Sequence, residues 1–211
     1  MAYTVYPSKK PTIDKTRRLL SVQDFPERVV TPSDHHIAYL ESHRINPQFL
    51  LHYSAYLTED GVCFVLAGCL GYQLRITTPG LSTRFLFPAG VPLKSALYVP
   101  DATRLAGREL IIVEGTTDAL AIAQTGYRTV SLLGSNVTIE KVAALKGLLA
   151  EVPNSILYMI PDNDLPGHVA AAKLCSLGLT PRIHYLPTYA KDICDLDVTY
   201  RETFLERRIV S

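Results

Sequence analysis

The 211-residue chain has no pair of cysteines at C-x-x-C spacing; Cys63, Cys69, Cys175 and Cys194 stand apart. A structural zinc site of the usual ligand spacing is therefore excluded. The four thiols read as reduced residues packed as small hydrophobes. The chain also lacks an excess of either charge. Its 21 Lys and Arg against 20 Asp and Glu give a formal net charge of +1, so any nucleic-acid surface must be local. No apolar run approaches the roughly 18 residues that span a bilayer. The N-terminus, MAYTVYPSKK, has no apolar core behind its basic residues, which argues against a secretory signal. There is no internal repeat and no low-complexity segment. No membrane partner is expected, and the expected location is the cytoplasm.

What is present is a globular composition. Hydrophobic residues make up 47% and charged residues 19%, which separates the chain from disordered proteins. The length allows one large domain or two small ones. Three segments are expected: a basic extended arm at 1–31, an α+β unit at 32–104 and an α/β unit at 105–211. The arm carries Lys9, Lys10, Lys15, Arg17, Arg18 and Arg28, and reads as a solvated tail or a nucleic-acid contact. Ser33 or Asp34 caps a short helix ending near Arg44, with Ile37, Leu40 and Tyr39 as its apolar face. A second short helix enters through Asn46-Pro47, with Phe49, Leu50 and Tyr53 inward. The His35-His36 pair reads as surface or cap residues, because sequence neighbours rarely share a helical face.

From Gly61 to Pro88 the pattern becomes β-rich, in VCFVLAG, YQLRITT and TRFLFP. In YQLRI, Tyr72, Leu74 and Ile76 share one face, while Gln73 and Arg75 share the other. Arg75, Arg84 and Lys94 are the cations of this small sheet and its following loop. They are either a solvated face or a binding surface. Beyond Asp101, strands at 110–113, 129–133, 155–160 and 182–186 alternate with helices at 117–125, 138–149 and 167–177. That alternation predicts a mainly parallel sheet with helices on both faces. A last helix is expected within 195–208, with Phe204 and Leu205 inward.

Two of these strands end in acids. The first delivers Glu114, then Gly115 and Asp118; the second delivers Asp162 and Asp164. Ligands of an open parallel sheet bind beyond the carboxyl ends of its strands. Carboxylates gathered there repel one another unless a cation neutralises them. Taken singly, Asp118 is also an ordinary helix-start acid, and Asp162-Asn163-Asp164 is also an Asx-turn. Together the two tips predict a Mg²⁺-type site acting on phosphates. After the last strand, Lys191 could pair locally with neighbouring acids, or could reach a phosphate while Asp192 joins the acids.

EGTTDALA at 114–121, PDNDLPG at 161–167 and KDICDL at 191–196 resemble the TOPRIM domain of DnaG-type primases, topoisomerases and some nucleases. The intervening GYRTVSLLGSNVTIEKVAALK is similar to the primase version. YLESHRINPQFLLHY and GYQLRITTPGLSTRFLFPAGVPLKSALYVP resemble the helical element and basic strand-rich subdomain of those primases. The resemblance covers about residues 35–196. It implies a TOPRIM-type, Rossmann-like sheet preceded by a small basic α+β subdomain. By the same resemblance, Glu114 is the central acid, Asp162 and Asp164 hold catalytic Mg²⁺ (or Mn²⁺), and Asp118 and Asp192 support them. Arg75, Arg84 and Lys94 would contact template or triphosphate. Asp195 stands one position later than the family's usual second acid.

The implied activity is synthesis of RNA primers on a single-stranded DNA template from ribonucleoside triphosphates. The partner would be a replicative helicase or another replication protein. A metal-dependent nuclease and a non-catalytic replication module stay open beside it, whereas a topoisomerase lacks room for strand-passage domains. With no zinc module or helicase domain expected, template recognition would be reduced, rebuilt from the arm or supplied by partners. This compactness fits a phage or plasmid replicon, or otherwise a nucleoid-associated protein.

Overall fold

The computed structural model describes residues 25–100 and 107–210. The cationic positions Lys9, Lys10, Lys15, Arg17 and Arg18 of the expected arm lie outside the described residues.

Two four-stranded sheets organise the chain. The first is antiparallel, in the order β1-β2-β3-β4, from β1 (Ala55–Thr58), β2 (Gly61–Val65), β3 (Tyr72–Ile76) and β4 (Phe85–Leu86). The second is parallel, in the order β6-β5-β7-β8, from β5 (Glu109–Val113), β6 (Arg128–Ser131), β7 (Ile156–Met159) and β8 (Arg182–Ile183). Helices α2 (Thr116–Ala123), α3 (Ile139–Ala150) and α4 (Leu165–Ser176) connect the parallel strands in turn. Helix α1 (Asp34–Ser42) precedes the first sheet, and α5 (Val198–Leu205) follows the second. Among the described residues, no helix is long and apolar enough to cross a membrane.

The continuous apolar run of β5 follows from cover on both faces. Ile111 and Val113 pack with α2 and α5, while Leu110 and Ile112 pack with Val142 of α3 and Leu174 of α4. The first of these clusters also takes in Leu57, Val62 and Phe64 of the antiparallel sheet, so one core passes through both sheets. That cover reaches β3. Tyr72, Leu74 and Ile76 fill one side, but Gln73 on the other is only 4% exposed and accepts a hydrogen bond from Thr116 Oγ1 at 2.7 Å.

Two expected inward residues point outward, and one short strand escaped the sequence reading. Ile37 is 42% exposed, whereas His36 is buried; its ring accepts from the Ser33 amide in a reciprocal cap that closes α1. The cap reading of His36 holds. Phe49 is 43% exposed because Pro47–Tyr53 forms a 3₁₀ helix, whose narrow inner stripe is taken by Leu50. Strand β1 carries too few residues for its alternation to stand out.

Candidate metal and phosphate site

Glu114 emerges from the end of β5, buried, with its backbone fixed by the neighbouring strand. Its carbonyl accepts from Ser131 Oγ at 2.8 Å and from the Gly134 amide at 2.9 Å. Its side-chain Oε1 accepts from the Asp162 amide at 3.1 Å, so the acid of one strand tip holds the backbone of the other. Gly115 then caps α2. A Cβ there would stand 2.3 Å from Asp118 Oδ2, so only glycine leaves room for that carboxylate to fold back over the strand exit.

The second tip has the same economy of space. Asp164 caps α4 by accepting from the Gly167 amide at 3.0 Å, and its Oδ2 lies 3.9 Å from Lys191 Nζ. The capping role and the charged contact therefore coexist. A Cβ on Gly167 would meet Asp162 O at 2.3 Å and Glu114 Oε1 at 2.6 Å. Asn163, between the two aspartates, donates from its amide to Lys191 O at 2.6 Å and from Nδ2 to Pro187 O and Ala190 O at 3.3 Å. This asparagine fastens the third acid-bearing loop to the tip of β7.

In that loop Asp192 Oδ1 accepts from the Cys194 and Asp195 amides at 3.0 and 3.2 Å. Asp195 Oδ2 accepts from the Lys191 amide at 2.7 Å. The carboxylate of Asp195 is thus turned onto its own loop and shapes it.

The remaining acids feel one another. Burial, then Asp118, Glu114, Asp192 and Asp164, pushes the Asp162 carboxyl up to about 8. Burial, then Asp192, raises Asp118 to about 7, against the pull of Cys194 and Arg201. Glu114 is raised by burial and by Asp164, and eased by the Asp162 amide and by Lys191. Five carboxylates from three loops therefore share one field at the carboxyl end of the parallel sheet.

The tightest grouping differs from the predicted metal set. Among the described residues, potential ligand atoms of Asp118, Asp192 and Cys194 all lie within 4.8 Å of one another. Glu114, Asp162 and Asp164 are not part of that group, though the charge of Glu114 acts on Asp118, and those of Asp118 and Asp192 act on Asp162. Burial raises the Cys194 thiol well above its ordinary value and it bonds to Asp118, while Asp118 and Asp192 supply the carboxylate oxygens of the group. Hard oxygens with uncompensated repulsion fit Mg²⁺ or Mn²⁺.

Of the predicted cations, Lys191 lies beside an acid, and Arg75 is linked to the acid-bearing segment through Tyr39. Lys191 is 66% exposed beside Asp164. The Arg75 guanidinium stacks between two rings, 5.2 Å from the centroid of Tyr39 and 4.7 Å from that of Phe85. The Tyr39 hydroxyl in turn meets Thr117 Oγ1 at 2.5 Å, next to Asp118. Arg84 and Lys94 are exposed, with no described side-chain contact to the acids. Sequence reasoning missed Tyr39, Asn163 and Cys194 as parts of this region. It also missed Arg201, 1% exposed, whose guanidinium donates to Ile193 O, Ala121 O, His43 O and Leu196 O. The central asparagine of D-N-D was the one local signal available.

Residues 111–197 match the family described as Toprim-like, so this segment carries a Toprim-like domain. Among solved structures, the primase fragment of the bacteriophage T7 primase-helicase protein is similar at 15% identity and a TM-score of 0.58, over 77% of this chain and 70% of that one. The Aquifex aeolicus primase, with its zinc-binding and RNA polymerase domains, is similar at 18% identity and 0.57, over 85% of this chain and 49% of that one. The RNA polymerase domain of Mycobacterium tuberculosis primase DnaG, in complex with double-stranded DNA, is similar at 17% identity and 0.53. There the alignment covers 82% of this chain, which spans 61% of the mycobacterial one. The chain has the fold of primase catalytic cores. No curated protein matches its sequence.

Proposed function

We propose that this Toprim-like chain is a primase-type nucleotidyltransferase core that makes short RNA primers on single-stranded DNA from ribonucleoside triphosphates. Its cofactor in this reading is Mg²⁺ (or Mn²⁺). The observation that carries it is the meeting of five acids at one end of the parallel sheet, with Arg75 of the antiparallel sheet one aromatic ring away. Acids alone would serve any phosphate chemistry, and the adjoining cationic sheet favours synthesis.

Glu114, Asp162, Asp164 and Asp192 would hold the ion, and Asp118, already a supporting acid by the resemblance, would join them. A divalent cation supplies charge neutralisation for a triphosphate and acidifies an attacking hydroxyl. The chain's own residues do the rest. Glu114 keeps the two strand tips together through the Asp162 amide. Lys191 and Arg75 would take phosphate oxygens, Arg75 with its plane already oriented by stacking. Arg84 and Lys94, exposed on the 32–104 unit, would follow the template backbone, while the 105–211 unit carries the chemistry. Recruitment by a replicative helicase or another replication protein, in the cytoplasm, belongs to the same reading.

The test is incorporation of labelled ribonucleotides on single-stranded DNA with Mg²⁺ or Mn²⁺. Wild-type protein should yield short RNA, and Asp162→Ala or Asp164→Ala should abolish it. No product across varied templates and metals, with added replication proteins, would refute the proposal.

A further inference from the structure

Helix α1, outside the α/β unit, touches two of the acid-bearing segments. From one side of it, the Tyr39 hydroxyl meets Thr117 Oγ1 at 2.5 Å, one residue before Asp118. From its C-terminal end, Arg44 Nη1 donates to Cys194 O at 2.6 Å, two residues after Asp192. Arg44 holds a left-handed backbone, with φ 55°, a conformation that suits glycine better than arginine. His43 O also accepts from Arg201, which bonds to Ile193 O and Leu196 O in the same loop. Asp118 and Asp192, with Cys194, bring potential ligand atoms within 4.8 Å of one another, and among the described residues no backbone ladder joins their segments.

We infer that α1 is the clamp that sets the gap between Asp118 and Asp192, with Tyr39 and Arg44 as its positioning residues for a divalent cation. This rests on the metal-site reading above and adds a dependence of that site on the N-terminal unit. Neither residue would touch the ion. Each fixes the segment that carries a ligand, and such orienting groups commonly govern metal affinity by about 10-fold or more. Tyr39 also carries the Arg75 guanidinium on its ring, so one side chain spans the phosphate-binding and cation-holding parts of the proposed site.

The test is direct Mn²⁺ binding by the intact protein, followed through the electron paramagnetic resonance of free Mn²⁺, with melting temperature measured alongside. Tyr39→Phe removes only the hydroxyl, and Arg44→Gly removes the guanidinium while relaxing the backbone. Each should weaken Mn²⁺ binding by about 10-fold with little change in the melting of the metal-free protein. Tyr39→Phe combined with Thr117→Val should be no weaker than the worse single variant, since both cut one contact. Tyr39→Phe should keep metal-free binding to a single-stranded oligonucleotide, and Tyr39→Leu should lose part of it. Wild-type affinity in both Tyr39→Phe and Arg44→Gly overturns the clamp. Wild-type protein that takes up no Mn²⁺ overturns the underlying site reading as well.

Discussion

Asp164 presents the cleanest separation of structure from chemistry at a single residue. It caps α4 through Oδ1 while Oδ2 faces Lys191. Asparagine caps a helix about as well as aspartate, whereas alanine costs about 1 kcal/mol. Asp164→Asn should therefore melt like wild type while losing nucleotide incorporation, and Asp164→Ala should lose both. Thermal melts beside incorporation assays check this. The raised acids give a second residue-level expectation. Asp162 moves from the usual 3.8 to about 8, and Asp118 from 3.8 to about 7. Between those limits the folded state holds more protons than the unfolded state, so stability present below about pH 4 is lost as pH rises towards 8. The metal-free protein should melt lower at pH 8.5 than at pH 6. Saturating Mg²⁺ should reverse that order, because binding requires the deprotonated acids. A melting temperature that rises with pH in the absence of metal would contradict the shared field of the carboxylates.

The elements that matter are three loops held together by main-chain contacts. Asn163 makes three of these contacts, to Pro187 O, Ala190 O and Lys191 O. Asn163→Ala deletes the two from Nδ2; the Ala190 carbonyl, on a buried residue, loses that donor, while Pro187 O keeps the Ala190 amide at 2.9 Å. Urea unfolding should report a loss of about 1–3 kcal/mol, and hydrogen exchange should rise over residues 187–195. The two acid-tipped strands were legible in the sequence because an apolar run that stops at acids is a local signal. Helix α1 was legible as a helix with Leu40 and Tyr39 inward, but Ile37 turned out exposed and His36 buried. The clamp residues were beyond reach for a different reason. Tyr39 finds Thr117 across 78 positions and Arg44 finds Cys194 across 150, and nothing in local spacing encodes such pairs. Asp195 illustrates the converse. It looked like part of an acidic motif, yet its carboxylate serves the Lys191 amide.

At the scale of the whole molecule, a net charge of +1 hides a separation of charge. The acids gather at the carboxyl end of the parallel sheet, while Arg75 lies in the antiparallel sheet, Arg84 just before its last strand and Lys94 in the loop beyond it. Binding of single-stranded DNA should therefore be weak overall and fall with salt. Each phosphate contact should contribute about −0.7 to the slope of log affinity against log salt. Arg84→Ala and Lys94→Ala should each lower that slope by about one contact, without changing the Mn²⁺ affinity of the acid site. The continuous core through both sheets holds the acids and these cations on one frame, because Leu57, Val62 and Phe64 pack in the same cluster as Ile111 and Leu120.

The most direct measurement is a single reaction holding 5′-labelled single-stranded DNA, differently labelled ribonucleoside triphosphates and Mg²⁺, followed in time for wild type and for Asp162→Asn. The account expects ribonucleotides to enter short RNA while the DNA stays intact, with incorporation reduced at least about 100-fold in the variant, as for loss of a metal-orienting acid. Cleavage of the DNA without any RNA product, abolished by the same substitution, would contradict it and identify the site as that of a nuclease.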